Sequence, residues 1–236
     1  MRATPAEFRN RFFIVVGIYA LGFAAYAVDP VNAGRSLARL IGRPGAPGIR
    51  IVFGIGTAVT VLAGALRTWA AAYLESDVVH DLDLHSDRLI ADGPYRRVRN
   101  PLYIGMILMG VGIGLFASRL GFVVIVAGLV AFSLRLIAGE EARLAESGGA
   151  AFADFRRKVP KLIPSISPRI PASGKRPRWG QAVAGEGFYW AVSLAMIAFV
   201  ATLDERIFEW TALSALGVYA LYQFALRARD RRRQSL

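Results

Sequence analysis

The sequence predicts an all-α fold, a polytopic transmembrane helical bundle of about six spans. Three observations predict it. Of the 236 residues 55% are apolar, more than a soluble domain of this size needs for its core. The mean hydropathy is positive. The apolar residues also fall into six runs separated by segments rich in Arg, Pro and Gly, and each run is close to the roughly 20 residues that a helix needs to cross a bilayer.

The runs lie at about 12–28, 51–74, 101–118, 120–138, 183–203 and 207–226. The first follows Arg9 and Arg11 and ends on Ala25-Tyr26-Ala27, which also fits a cleaved secretory signal. Its length exceeds the 7–15 residues usual for such a region, so a retained helix is the preferred reading. The third opens on Asn100-Pro101, a capping residue followed by proline at the position where a missing N–H costs nothing. Only Ser118 and Arg119 separate it from the fourth, so the two form a tight antiparallel hairpin. The fifth and sixth form a second hairpin that turns at Asp204-Glu205-Arg206. Between the hairpins, Ala150 to Lys161 reads as an amphipathic helix in the headgroup layer, ended by Pro160, Pro164, Pro168 and Pro171. The chain divides into an N-terminal helix and loop (1–50), a core (51–171) and a C-terminal hairpin with a basic tail (172–236).

The net charge is +12. The arginines flank apolar runs and lack interleaved aromatics on a soluble segment, which suits anionic lipid headgroups and not nucleic acid. Absence of cysteine excludes disulfides and thiolate metal sites, and no metal is expected. With the N-terminus inside, 21 of the 29 Lys and Arg residues fall on the inner side, 6 on the outer, and Arg67 and Arg135 within spans. By the positive-inside rule both termini are cytoplasmic, and the segments 75–100 and 139–181 share that side. The expected location is a bacterial inner membrane.

Chemistry concentrates in those two segments. From Asp87 the sequence reads DRLIADGPYRRVRNPLYIG, combining a Gly-Pro turn, the aromatic faces of Tyr95 and Tyr103, four arginines, and a helix N-terminus whose unpaired N–H groups suit a carboxylate or phosphate. A basic interfacial loop with an ordinary cap has the same composition. Glu140 and Glu141 stand where the fourth helix leaves the membrane, against the helix dipole, and the hairpin brings them to the side of the arginines. Arg135 is an ionisable residue inside a span. Gly110 and Gly114 form a GxxxG packing face, whereas Gly105 is placed for close approach of a ligand.

The order GPYRxVRNPLYxG, a hairpin, EExxL and VPxLIP, preceded by Arg67-Thr68-Trp69-Ala70, resembles the isoprenylcysteine carboxyl methyltransferase family and its phospholipid methyltransferase relatives. The resemblance covers Arg67 to about Pro164. It implies an integral-membrane methyltransferase with a pocket for S-adenosyl-L-methionine at the cytoplasmic ends of its helices and a lipophilic acceptor. The cofactor-contacting positions it implies are His80, Asp87, Arg88, Leu89, Ile90, Tyr95, Asn100, Pro101, Leu102, Tyr103 and Glu140; Gly105, one turn from Tyr103, and Glu141, beside Glu140, join them by their place in the sequence, with Glu140 and Arg135 as catalytic candidates. The family often has histidine where this chain has Asn100. Carboxyl methylation of isoprenylcysteine is the leading expectation. Phospholipid N-methylation, thiol S-methylation and a non-catalytic transport or assembly role are the alternatives.

Overall fold

The structure is a computed structural model that describes residues 2–74 and 92–234, the last ten as backbone alone. The expected contacts His80, Asp87, Arg88, Leu89 and Ile90 lie outside the described residues. Among those described, all regular elements are helical: α1 (Pro5–Arg9), α2 (Arg11–Ala24), α3 (Ala33–Leu40), α4 (Ala46–Ala71), α5 (Pro101–Gly114), α6 (Arg119–Lys158), α7 (Trp179–Gly185), α8 (Gly187–Thr202) and α9 (Glu205–Gln234).

All six apolar runs are helical, but their lengths differ from expectation. By length and composition α4 and α6 are span candidates among the described residues, with a third if α7 and α8, bent by 64°, form one span. Helix α5 has only 14 residues, because the chain leaves the helix over Leu115–Ser118. Helix α6 has 40, about 60 Å if straight at 1.5 Å per residue. It is broken at Gly149, whose φ of 50° lies where only glycine sits without strain. Beyond the break Phe152, Phe155 and Val159 are buried with Leu144 and Ile170. The apolar face of the expected headgroup helix is therefore turned to protein, not to lipid.

Helix α5 packs between α4 and α6, α2 lies along α6, and the α8–α9 hairpin packs on α4. The turn between α5 and α6 is pinned by the chain that precedes α3. The Asn32 amide donates to the carbonyls of Leu115 and Phe116 at 3.1 Å, the Tyr26 hydroxyl donates to Phe116 at 2.7 Å, and the Ala33 N–H donates to Ala117 at 2.9 Å. These carbonyls end a helix with no intrahelical partner, and leaving them bare in apolar surroundings would cost several kcal/mol. Beside them, Phe116 stacks on Phe208 at 4.4 Å and meets Phe53 edge-on at 4.7 Å.

The glycines of α5 serve packing. A Cβ at Gly110 would meet the tip of Leu129 and one at Gly114 the ring of Phe122, as the GxxxG reading expects. Gly121 is tighter, since its Cβ would strike the carbonyl oxygen of Gly22 on α2, and backbone cannot swing aside. Gly121→Ala is expected to destabilise the protein by about 1–3 kcal/mol, and Gly110→Ala by less. Thermal unfolding in detergent measures both, and equal midpoints would show that α2 is free to shift.

Candidate functional site

The end of the bundle opposite the Asn32 clasp gathers the C-terminus of α4, the start of α5, the middle of α6 and the break between α7 and α8. Leading into α5 is a 3₁₀ turn at Gly93–Arg96. Gly93 has φ of 58°, and the ring of Tyr73 lies where its Cβ would be. The carboxylate of Asp92, 3% exposed, accepts from the N–H groups of Ser173 and Lys175 at 2.9 and 2.8 Å and from the Ser173 hydroxyl.

The two basic segments are stitched into one layer. The N–H of Arg99 donates to Pro160 at 2.9 Å, that of Ser165 to Arg97 at 3.0 Å, and that of Arg169 to Arg96 at 2.8 Å. Arginine side chains join in: Arg96 Nε donates to Ile170 at 2.9 Å, and Arg99 donates to the carbonyl of Arg156 at 2.7 Å. Burial alone would raise the pKa of Asp92, but its bonds from Ser173 and Lys175 outweigh that and hold it below the usual carboxylate range. A depressed folded value stabilises the protein above the ordinary carboxylate range, and this contribution is lost as pH falls through the folded value. Asp92→Asn should therefore cost about 1–3 kcal/mol at pH 6. The gap from the parent should narrow below about pH 4. Thermal midpoints taken from pH 6 to 3 test this, and a constant gap would contradict it.

Glu140 and Glu141 take different roles because neighbours on a helix point about 100° apart. The Tyr103 hydroxyl donates to Glu140 Oε1 at 2.7 Å, and Arg11 and Arg143 act on Glu140 through their charge. Glu141, 7% exposed, is ion-paired with Arg99 at 2.9 Å and lies 3.8 Å from Lys161 Nζ. It braces the basic layer.

Around Glu140 stand several expected positions. Tyr95, 8% exposed, packs with Ala70, Leu74 and Leu102, and burial pushes its phenol well above the usual range. Asn100 does not cap α5 with its side chain; its amide donates to the Lys161 carbonyl at 3.1 Å. Pro101 is buried at the first helical position, and the Leu102 carbonyl accepts from Arg67 at 2.9 Å. At Gly105 the space for a Cβ is filled by the aliphatic part of Arg67. Close approach there is made by a side chain of this chain.

Arg135 is five residues before Glu140, about 140° around the helix. Its guanidinium meets the carboxylate of Glu7 at 2.8 and 2.9 Å. Arg135 is thereby tied to the N-terminal segment.

Glu186 was missing from the sequence reading. Its carboxylate, 3% exposed, takes Arg67 Nε at 2.6 Å and Nη2 at 3.0 Å, while Arg67 lies 4.3 Å over the Tyr189 ring. Arg67 therefore does not snorkel to the headgroups. A lone glutamate between Gly185 and Gly187 at the head of an apolar run is the signal that could have found it, since an ionisable residue at such a place needs a partner. Trp190, one turn further on, donates Nε1 to Thr68 at 3.0 Å.

Two clefts lie elsewhere. One of about 420 Å³ sits by the Gly149 break with Phe152, Arg156 and Arg157 in its lining. The other, about 790 Å³ and apolar, lies between α8 and α9 and is lined by Trp190, Leu194, Trp210 and Tyr219 among others. Neither includes Tyr103 or Glu140. Among the described residues no group of three or more His, Asp or Glu is placed to hold a metal.

The phospholipid methyltransferase family model matches residues 50–149. That stretch holds α4, α5, Tyr95 and Glu140. Over 106 residues the chain is 27% identical to the cobalt-zinc-cadmium resistance protein CzcN of Cupriavidus metallidurans, covering 45% of this chain and 46% of that protein. Over 82 residues it is 37% identical to the protein-S-isoprenylcysteine O-methyltransferase of Schizosaccharomyces pombe, covering 33% and 34%. The chain thus spans less than half the length of either relative. No solved structure matches.

Proposed function

Residues 50–149 are a segment of the phospholipid methyltransferase family, and on that premise we propose that this membrane protein transfers a methyl group from S-adenosyl-L-methionine to a lipophilic acceptor. The observation that carries the proposal is the part-buried Tyr103–Glu140 pair between the start of α5 and the middle of α6, inside the matched segment.

The residues at this end fit the cofactor's chemistry. The first turn of α5 has no side-chain cap, so its N–H groups and positive dipole end suit a carboxylate. Glu140 suits an ammonium or ribose hydroxyls. Tyr95 and Tyr103 offer ring faces to an adenine or a sulfonium. When bound, the cofactor supplies a methyl carbon already activated by the sulfonium. The protein's work is then positioning and exclusion of water, and the burial of Tyr95, Asn100 and Glu141 is of the kind that excludes water. In the proposed topology both termini and this end of the bundle are cytoplasmic, in keeping with the concentration of Lys and Arg there.

We place the acceptor among membrane-borne carboxylates, in line with the name of the Schizosaccharomyces pombe relative, a protein-S-isoprenylcysteine O-methyltransferase. A phospholipid amine is the second reading, in line with the family description. Titration of the detergent-solubilised protein with S-adenosylhomocysteine tests the cofactor, and a folded protein that binds none would sink the proposal. Incubation with membranes and methyl-labelled cofactor separates the acceptors. A base-labile volatile label marks an ester, and a base-stable lipid label marks an N-methyl group.

A further inference from the structure

The N-terminal segment, outside the family match, lies against the candidate site. Thr4 and Glu7 form a reciprocal capping box that fixes α1, and the Ala3 N–H donates to the Arg135 carbonyl at 3.0 Å. The Glu7 carboxylate takes Nε and Nη2 of Arg135. Phe8, 5% exposed, lies over Gly139, where a Cβ would meet its ring, and it packs with Phe132, Leu136 and Tyr103. The Arg143 guanidinium covers its other side at 4.7 Å. On the surface of α6, residues 132, 136, 139 and 143 form one stripe, with Arg135 on one flank and Glu140 on the other. The segment therefore rides along the stripe, fastened on the Arg135 flank and bordering Tyr103 and Glu140 on the opposite one.

We infer that the strap from Ala3 to Arg11 is a wall of the candidate site at Tyr103 and Glu140 and that Glu7 and Arg135 are positioning residues that latch it. The inference rests on the methyltransferase reading where it concerns cofactor affinity, and on geometry alone where it concerns access. The latch holds across the physiological range, because the hydrogen bonds from Arg135 lower the pKa of Glu7 to about 2.

The chain has no cysteine, so a single thiol introduced beneath Phe8, Leu136→Cys, reports access to the stripe. With the strap latched, a charged methanethiosulfonate reagent should modify it slowly. Adding Glu7→Gln should raise the rate by about tenfold, and the reversed pair Glu7→Arg with Arg135→Glu should restore it. Affinity for S-adenosylhomocysteine should follow the same order, weakened by about tenfold in Glu7→Gln and recovered in the reversed pair. An unchanged thiol rate in Glu7→Gln overturns the inference. So does a loss of affinity that the reversed pair leaves unrepaired, since Arg135 would then contact the ligand itself. If the reversed pair has no thermal transition, equal losses in Glu7→Gln and Arg135→Gln support the latch, and a larger loss in Arg135→Gln overturns it. If the parent protein binds no S-adenosylhomocysteine, the methyltransferase reading falls while the thiol rates still decide the strap.

Discussion

Glu140→Ala is expected to weaken S-adenosylhomocysteine binding on the order of a hundredfold. A charge-assisted hydrogen bond is worth about 1.5–3 kcal/mol, which spans roughly 10- to 150-fold in affinity. The substitution also strips the Tyr103 hydroxyl of the acceptor it has at 2.7 Å. A buried hydroxyl left unpaired costs about 1–3 kcal/mol, so part of the thermal stability goes with the affinity. Glu140→Gln separates the two effects. Its amide oxygen keeps the bond from Tyr103 while the charge is lost, so the thermal midpoint should hold near that of the parent and affinity should fall by about tenfold. Titration calorimetry alongside thermal unfolding reads both. Unchanged affinity in Glu140→Gln and Glu140→Ala would remove this residue from the cofactor site.

The largest loss of stability is expected at Glu186. Its partner Arg67 has a side chain only 17% exposed, and that of Glu186 is 4% exposed. Taking one member away leaves the other buried and uncompensated, which costs about 3–5 kcal/mol. Glu186→Ala should therefore lower the thermal midpoint more than any surface substitution. Arg67→Met with Glu186→Leu should recover much of the loss, because a buried pair replaced by apolar groups of similar volume is close to neutral in stability. It should not recover function, since the Arg67 donor to the Leu102 carbonyl beside Tyr103 is gone. A Glu186→Ala midpoint within about a degree of the parent would show that water reaches Arg67 and that the pair is not dry.

The sequence held the helical runs, the α5–α6 hairpin and the motif family, because each is written in local periodicity, breakers or spacing. Tyr95, Tyr103 and Glu140 come together as the hairpin requires. What the sequence did not hold is which faces meet across long separations. Arg67 finds Glu186 at a distance of 119 residues, and Arg135 finds Glu7 at 128. In a run that is apolar all round no moment singles out a face. The same limit explains Gly105, where spacing placed a glycine near the ligand and could not show that Arg67 occupies the gap. Glu140 and Glu141 are adjacent in the sequence, but a helix points them apart, and each meets its own partner.

The clasp around Asn32 also bears on motion. It joins three carbonyls and a capping bond at one end of the α5–α6 hairpin, while the start of α5 is held by side chains, Arg67 on the Leu102 carbonyl and Tyr103 on Glu140. Tyr103 stands eleven residues from Gly114, about 16 Å along the helix. A tilt of about 10° around the clasp displaces it by about 3 Å, enough to break its bond to Glu140 without unwinding a turn. Side-chain bonds can exchange with a ligand's, whereas the backbone clasp cannot, so any such tilt of α5 would be resisted at the far end of the molecule, by residues remote from Tyr103 and Glu140.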